Sequence, residues 1–138
     1  MTHPYKSTCY CTNLRRSANA LSDFYDTALK ESGLTAAQYY LLVSLVRLGT
    51  ANITHWAEHV GLDRSTMVRN IRTLQARALI ETTAGRGKTF ILSPEGRRVL
   101  DLAAPLWEEA QRQTEVLLGR DNVKALLEIS EKLQRLER

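Results

Sequence analysis

Ile53-Thr-His-Trp-Ala-Glu-His-Val-Gly-Leu62, followed directly by Asp63-Arg-Ser-Thr-Met-Val-Arg69, is the stretch on which the fold turns. Its first part reads as a compact helix ending in a Gly-containing turn, with Thr54 suited to cap the start. In the second part Asp63 can accept hydrogen bonds from the free backbone N–H groups of a new helix. Two helices joined by a turn of about four residues make a helix-turn-helix, a unit whose second helix can lie in a major groove.

The second helix has two chemically distinct sides. At about 100° per residue, Met67, Ile71, Leu74 and Ala78 fall on one stripe, with Val68 at its edge. Ser65, Arg69, Arg72 and Ala76 fall opposite, flanked by Thr66 and Thr73, and Arg64 and Asn70 complete the polar set. The apolar stripe anchors the helix. The polar side offers guanidinium forks and hydroxyls to base edges or phosphates. An ordinary solvated helix face would also be polar, so the residues beyond the helix must decide between the two. Leu79-Ile-Glu-Thr-Thr83 and Lys88-Thr-Phe-Ile-Leu92 read as two short strands around the turn Ala84-Gly-Arg-Gly87. Strand, basic tip and strand make a wing, with Arg86 and Lys88 placed to reach a narrow groove or phosphates beside the helix.

Leu62-Asp-Arg-Ser-Thr-Met-Val-Arg69, then Leu74, Leu79-Ile80, the basic wing and Leu92-Ser-Pro-Glu-Gly-Arg97 resemble the MarR family of bacterial winged-helix regulators. The resemblance extends over nearly the whole chain, because the flanking helices match in order and length. It departs at two places. The family wing usually carries an Asp two residues before the position of Arg86, and here that residue is Ala84. A Gly normally ends the recognition helix where this chain has Ala78. The implied fold class is mainly α with a small β-wing, a DNA-binding head joined to a helical dimerisation region.

Charge distribution agrees with that reading. The 138 residues, 43% apolar and 25% charged, suit one domain rather than a disordered chain. Of the net charge of +4, residues 63–98 carry +5, residues 1–62 carry +1 and residues 99–138 carry −2. Positive charge sits on the reading head, as a polyanion-binding module requires. No stretch nears the roughly 20 apolar residues of a membrane span. Residues 1–8 lack the apolar core of a signal peptide, so the cytoplasm, with both cysteines reduced, is expected.

The flanks read as helices. Leu14, Ala18, Leu21, Tyr25 and Ala28 mark one face of a helix from about Tyr10 to Ser32, ended by Gly33. Thr35-Ala-Ala-Gln38 fits a capping box, opening an apolar helix (Tyr39 to Val46) that should be buried on several sides. Gly49 closes it, and Asn52-Ile53 can add an edge strand to the wing. Ser93-Pro94-Glu95 is a helix start. Val99, Ala103, Leu106, Ala110 and Leu117 continue from it across a kink expected at Pro105. A last helix from about Asp121 carries Val123, Leu126, Leu127, Leu133 and Leu136. These stripes exceed what a small wing can cover, and a second copy of the chain is the expected partner. The chain thus divides into an arm and dimerisation helix at 1–34, a winged helix-turn-helix at 35–98 and dimerisation helices at 99–138, in one continuous unit. A two-fold dimer would present its recognition helices about one DNA turn apart, to a pseudo-palindromic double-stranded site.

Cys9-Tyr-Cys11 can be read in several ways. Both can be small buried residues at a helix start. Alternatively, a Cys in the first turn has its thiolate favoured by the helix dipole and can pass through sulfenic acid to a disulfide. The resemblance implies the second: Cys11-Thr-Asn-Leu14 matches the place where the organic-peroxide-sensing, OhrR-like branch carries its reactive Cys, and Tyr25 matches a Tyr that holds that thiolate. Arg15 and Ala36 stand where two further tyrosines of that branch would be, and Arg15 can stabilise a thiolate one turn away. A soft metal held by Cys9, Cys11 and His3 is a third reading, and His55 with His59 form an i, i+4 pair. A phenolic anion between the long helices and the head is a fourth, with Arg15, Tyr39 and Trp56 as its candidate contacts. No phosphate loop, G-x-S-x-G or H-E-x-x-H occurs, so neither an enzyme nor a resident cofactor or metal is expected. The sequence thus points to a homodimeric regulator, a repressor released by an oxidant or small-molecule inducer. The alternatives are a dimeric winged-helix protein-interaction module that does not bind DNA and a regulator responsive to soft metal.

Overall fold

The computed structural model of the chain describes residues 8–83 and 88–136. Helix α1 (Tyr10–Leu29) runs into a 3-10 turn, Lys30–Ser32, which Gly33 closes in the left-handed region at φ 79°. Helix α2 (Ala36–Leu48) opens with the expected capping box, since Thr35 Oγ1 accepts from the Gln38 amide and Gln38 Oε1 from the Thr35 amide. Asp26 of α1 adds a third bond by accepting from the Ala36 N–H at 2.7 Å. Three of the N–H donors around this helix start are thereby satisfied. Leu41, Leu42, Ser44 and Leu45 of α2 are buried, whereas Tyr40 and Val46 are exposed, so α2 is covered on fewer sides than its composition suggests.

Strand β1 is Ala51–Asn52, one residue earlier than expected, and helix α3 (Ile53–Val60) follows without a break. The cap of α3 is Asn52, whose side chain accepts from the His55 N–H at 2.8 Å, and not Thr54. The strand end explains the shift: Asn52 is the last residue in extended backbone, the helix begins at the next one, and Thr54 lies inside it. Helix α4 (Arg64–Ala76) is capped by Asp63. Strands β2 (Ile80–Thr82) and β3 (Thr89–Leu92) pair antiparallel, and β1 adds to the other side of β3 in the order β1-β3-β2. Trp56, Met67, Leu74, Leu79 and Phe90 from these elements share one core with Leu29, Leu41, Leu42 and Leu45.

Ala78 corrects the sequence reading. Met67, Ile71 and Leu74 are buried as the periodicity requires, but α4 has ended by Ala76, and Ala78 is exposed with φ 58°. Its N–H bonds the Gln75 carbonyl and the Leu79 N–H bonds the Leu74 carbonyl, which reverses the chain into β2. The left-handed backbone is the conformation that makes glycine usual at this place, and Ala adopts it at a cost of about 1–2 kcal/mol.

Helix α5 (Pro94–Leu118) continues unbroken through Pro105. The buried Ser93 both caps it, accepting from the Gly96 N–H at 2.9 Å, and donates to the Ala78 carbonyl at 2.6 Å. Gly96 has no room for a side chain, because a Cβ there would overlap the Leu79 carbonyl oxygen and lie 2.7 Å from Leu92 Cδ1. Helix α6 (Arg120–Gln134) follows Gly119 and buries none of its residues. Val99, Ala103 and Ala110 of α5 are buried, but Val116, Leu117, Leu126, Leu127, Ile129 and Leu133 are exposed, as are Leu14 and Leu21 of α1. No described helix is long and apolar enough to cross a membrane.

Two substitutions test this junction. Ala78→Gly removes the left-handed penalty at the expense of a more flexible unfolded chain, for a net gain of about 0.5–1 kcal/mol and a melting temperature a few degrees higher. Gly96→Ala forces α5 off the Leu79 backbone and lowers urea-unfolding stability by about 1–3 kcal/mol.

Candidate nucleic-acid interface

The exposed side of α4 begins at its cap. Asp63 Oδ1 accepts from the Thr66 N–H and the Ser65 hydroxyl, each at 2.8 Å, and Oδ2 accepts from the Thr66 hydroxyl at 2.9 Å. These bonds, led by the Thr66 backbone N–H, hold the Asp63 carboxyl down at about 2. Arg64 reaches back to α3, its Nη1 donating to Thr54 Oγ1 at 3.1 Å, so Thr54 serves as a strut between the helices. The Asn70 amide donates to the Thr66 carbonyl and the Thr73 hydroxyl to the Arg69 carbonyl, which turns both side chains onto the helix's own backbone.

Arg69 and Arg72 are different. Both are exposed, and among the described residues no hydrogen bond or ion pair occupies their guanidinium groups. The helix beneath them is pinned at both ends. Met67, Ile71 and Leu74 bury its inner side, and Arg77 bonds the Gly33 carbonyl at 2.7 Å across the turn before α2. Sequence reasoning passed over Arg77, whose only local signal is a cation at a helix C-terminus. On the wing, Lys88 is exposed with its Nζ 5.9 Å from the centre of the Phe90 ring. Arg86 and the rest of the tip, Ala84–Gly87, lie outside the described residues.

Beneath this surface the head is held by a buried polar pair. Trp56 Nε1 donates to Ser44 Oγ at 2.9 Å, and the Ser44 hydroxyl donates to the Leu41 carbonyl. Trp56 is fully buried, so its expected role as a ligand contact is corrected to that of core residue.

Among solved structures, the transcriptional regulator MosR of M. tuberculosis is 30% identical to this chain with a TM-score of 0.81, covering 95% of this chain and 97% of its own. The chain belongs to the MarR family of winged-helix transcriptional regulators. A second MosR structure, in complex with DNA, aligns at 27% identity and TM-score 0.81 over 94% of this chain and 99% of that one. The transcriptional repressor CouR, bound to p-coumaroyl-CoA, is 26% identical with a TM-score of 0.88 over 98% of each chain. CouR bound to a 23-mer DNA duplex aligns at 25% identity and TM-score 0.86, over 97% of this chain and 98% of that one. A scan of protein-family models finds no match, and neither does a search of curated proteins.

The MarR fold separates the other residues singled out in the sequence. Cys9 and Cys11 are both exposed in the chain, not buried. Cys9 is the N-cap residue of α1, and the Thr12 hydroxyl, then the Thr12 amide, hold its thiol below the usual range. Cys11 lies in the first turn with Arg15 Nη2 at 3.9 Å from its Sγ, the contact expected one turn along. Tyr25 is corrected. Its hydroxyl donates to Gln111 of α5, and fourteen residues along α1 put it about 21 Å from Cys11, out of reach within one chain. Only a second copy could bring a Tyr25 to Cys11.

The proposed aromatic contacts do not converge either. Half-buried Tyr39 stacks on Trp107 at 5.9 Å between ring centres, and burial, then the Glu108 charge, raises its phenol. Arg15 is engaged at Cys11 instead. A cavity of about 260 Å³ between α1 and α5 is lined by Phe24, Thr27, Ala28, Leu106 and Ala110, and neither Arg15, Tyr39 nor Trp56 borders it. Among the described residues no three His, Cys, Asp or Glu side chains are grouped to hold a metal; His3 lies outside them. His55 and His59 are exposed on α3.

The Asp63 cap predicts a pH signature. Its carboxyl is depressed in the folded chain, so its stabilisation is complete above the unfolded value near 4 and is lost as pH falls toward about 2. Asp63→Ala therefore melts below wild type at pH 6, and thermal scans show that gap narrowing from about pH 4 to pH 2.

Proposed function

We propose that this protein is a homodimeric transcriptional repressor that reads a pseudo-palindromic operator. Either oxidation at Cys11 or capture of a small molecule would release it. The observation that carries the reading is the pair of exposed guanidinium groups of Arg69 and Arg72, without a hydrogen-bond partner among the described residues, on a helix buried along its other side. Two arginines separated by nearly one turn suit the O6 and N7 acceptors of guanine or successive phosphates. MosR and CouR, which align over almost the whole chain, are both described in complex with DNA. Lys88 and, by sequence, Arg86 would extend the contact to the flanking backbone.

The dimer is supported by the apolar surface left uncovered on α1, the end of α5 and all of α6. Exposed leucines on three helices exceed the scattered apolar residues normal for a monomer. On this reading residues 1–34 and 99–138 join two copies and residues 35–98 bind DNA, in the cytoplasm. Release requires an inducer with different affinities for the two conformations of the dimer. For an oxidant, the Cys11 thiolate attacks a hydroperoxide, taking one oxygen and releasing the alcohol. The resulting sulfenic acid condenses with a second thiol, such as Cys9 of either copy, and water leaves. The Arg15 guanidinium lies 3.9 Å from the Cys11 sulfur at which this sequence would begin.

Two experiments test this reading. In binding titrations, affinity for duplex falls steeply between about 50 and 200 mM salt. Arg69→Ala weakens operator binding by roughly ten- to a hundredfold and relaxes the base preference. Salt-independent binding, or unchanged affinity in the variant, would point instead to a protein-interaction module. Cumene hydroperoxide releases the operator from wild type and leaves it bound by Cys11→Ser; equal release from both would remove Cys11 as the sensor.

A further inference from the structure

We propose that Asp63 fixes the hydrogen-bonding sense of the first turn of α4, making Ser65 and Thr66 acceptors toward DNA, so that this end of the helix selects adenine or cytosine over guanine or thymine. The inference rests on α4 being the reading helix and goes beyond that assignment to its base preference.

A hydroxyl carries one proton and two lone pairs, so free Ser and Thr side chains can read a donor or an acceptor equally well. Here both protons are committed. The Ser65 hydroxyl lies 2.8 Å from Asp63 Oδ1 and the Thr66 hydroxyl 2.9 Å from Oδ2. The carboxylate stays ionised at any physiological pH and can only accept, so each hydroxyl must donate to it. What remains on the two oxygens is lone pairs. In the major groove the amino groups of adenine N6 and cytosine N4 donate, while guanine O6 and thymine O4 accept. An acceptor-only edge matches the amino bases and repels the keto bases. Arg69 and Arg72, one and two turns further along, are donors only. The helix therefore presents opposite chemistry at its start and its middle.

The carboxylate's geometry supplies a selective test. In Asp63→Asn the remaining amide oxygen can keep both Oδ1 bonds, to the Thr66 N–H and the Ser65 hydroxyl, and Asn caps a helix as well as Asp. The amide nitrogen then faces Thr66 Oγ1. It can only donate, so the Thr66 hydroxyl must accept and turn its own proton outward. The cap survives and the polarity of one side chain reverses.

The experiment is selection from a pool of randomised duplexes at one fixed salt concentration, using the full chain. Wild type enriches an amino base over a keto base at one position of each half-site by about three- to tenfold, the worth of a single hydrogen bond. Asp63→Asn reverses or abolishes the preference at that position and leaves the bases read by Arg69 and Arg72 unchanged. The double variant Ser65→Ala, Thr66→Val, which retains Asp63 but lacks both hydroxyls, flattens the same position and decides the question should Asp63→Asn fold poorly. A motif identical in wild type and Asp63→Asn, or an amino preference that persists in the double variant, overturns the inference while leaving α4 as the reading helix. Enrichment of no motif by wild type would overturn the DNA reading itself and this inference with it.

Discussion

The start of α5 rests directly on the backbone that leaves α4, and the rest of the head depends on that contact. Ser93 satisfies the Ala78 carbonyl and the Gly96 amide with one hydroxyl, while its own N–H bonds the Leu79 carbonyl at 3.1 Å. These bonds hold the chain where Ala78 takes a left-handed conformation, and the bare Cα of Gly96 lets the two backbones approach. A buried polar group left without its partner costs about 1–3 kcal/mol, so the junction has few ways to loosen gradually. The exit direction of α4 and the course of β2 are set together.

The same economy of single side chains runs through the head. Asp26 reaches from α1 to the first turn of α2, Ser44 joins α2 to the indole of α3, Arg64 ties α4 to α3 and Arg77 ties it to the turn before α2. Each bond links neighbouring elements whose apolar sides already pack together. Burial supplies most of the cohesion, and the polar contacts choose one arrangement among those that burial would allow. The outward side of α4 is left with the guanidinium groups of Arg69 and Arg72, which no hydrogen bond or ion pair holds among the described residues.

Much of this was legible in the sequence because its signals are local. Thr35 with Gln38, Asp63 and Ser93-Pro94 each announce a helix start within four residues, and the structure has all three. The apolar period of α4 was equally plain up to Leu74. It misled at Ala78, because periodicity continues on paper past the point where Ser93 and Leu79 turn the chain. Asn52 and Thr54 are both capping types two residues apart, and only the pairing of Ala51 with Phe90 decides between them. Trp56 has the chemistry of a ligand contact, and nothing local reveals that Ser44, twelve residues earlier, receives its N–H. Arg77 with Gly33 and Tyr25 with Gln111 span 44 and 86 residues, beyond any local pattern. The two cysteines stand out by their rarity and Arg15 falls one turn from Cys11 by spacing alone, but their exposure and the bonds from Thr12 to Cys9 required coordinates.

Helix α5 joins two regions of unlike character. Its 25 residues form a rod of about 37 Å, clamped at Ser93 and Gly96 and ending among exposed apolar side chains at Val116 and Leu117. A rod clamped at one end carries a rotation of its far end toward the clamped loop only as far as it stays stiff along its length. Pro105 lies between the two ends and cannot donate to the carbonyl four residues back, leaving the ladder one rung short. Stiffness along the rod should therefore be lowest at that missing rung. Any bending of α5 would then concentrate at Pro105, between its clamped start and its exposed apolar end.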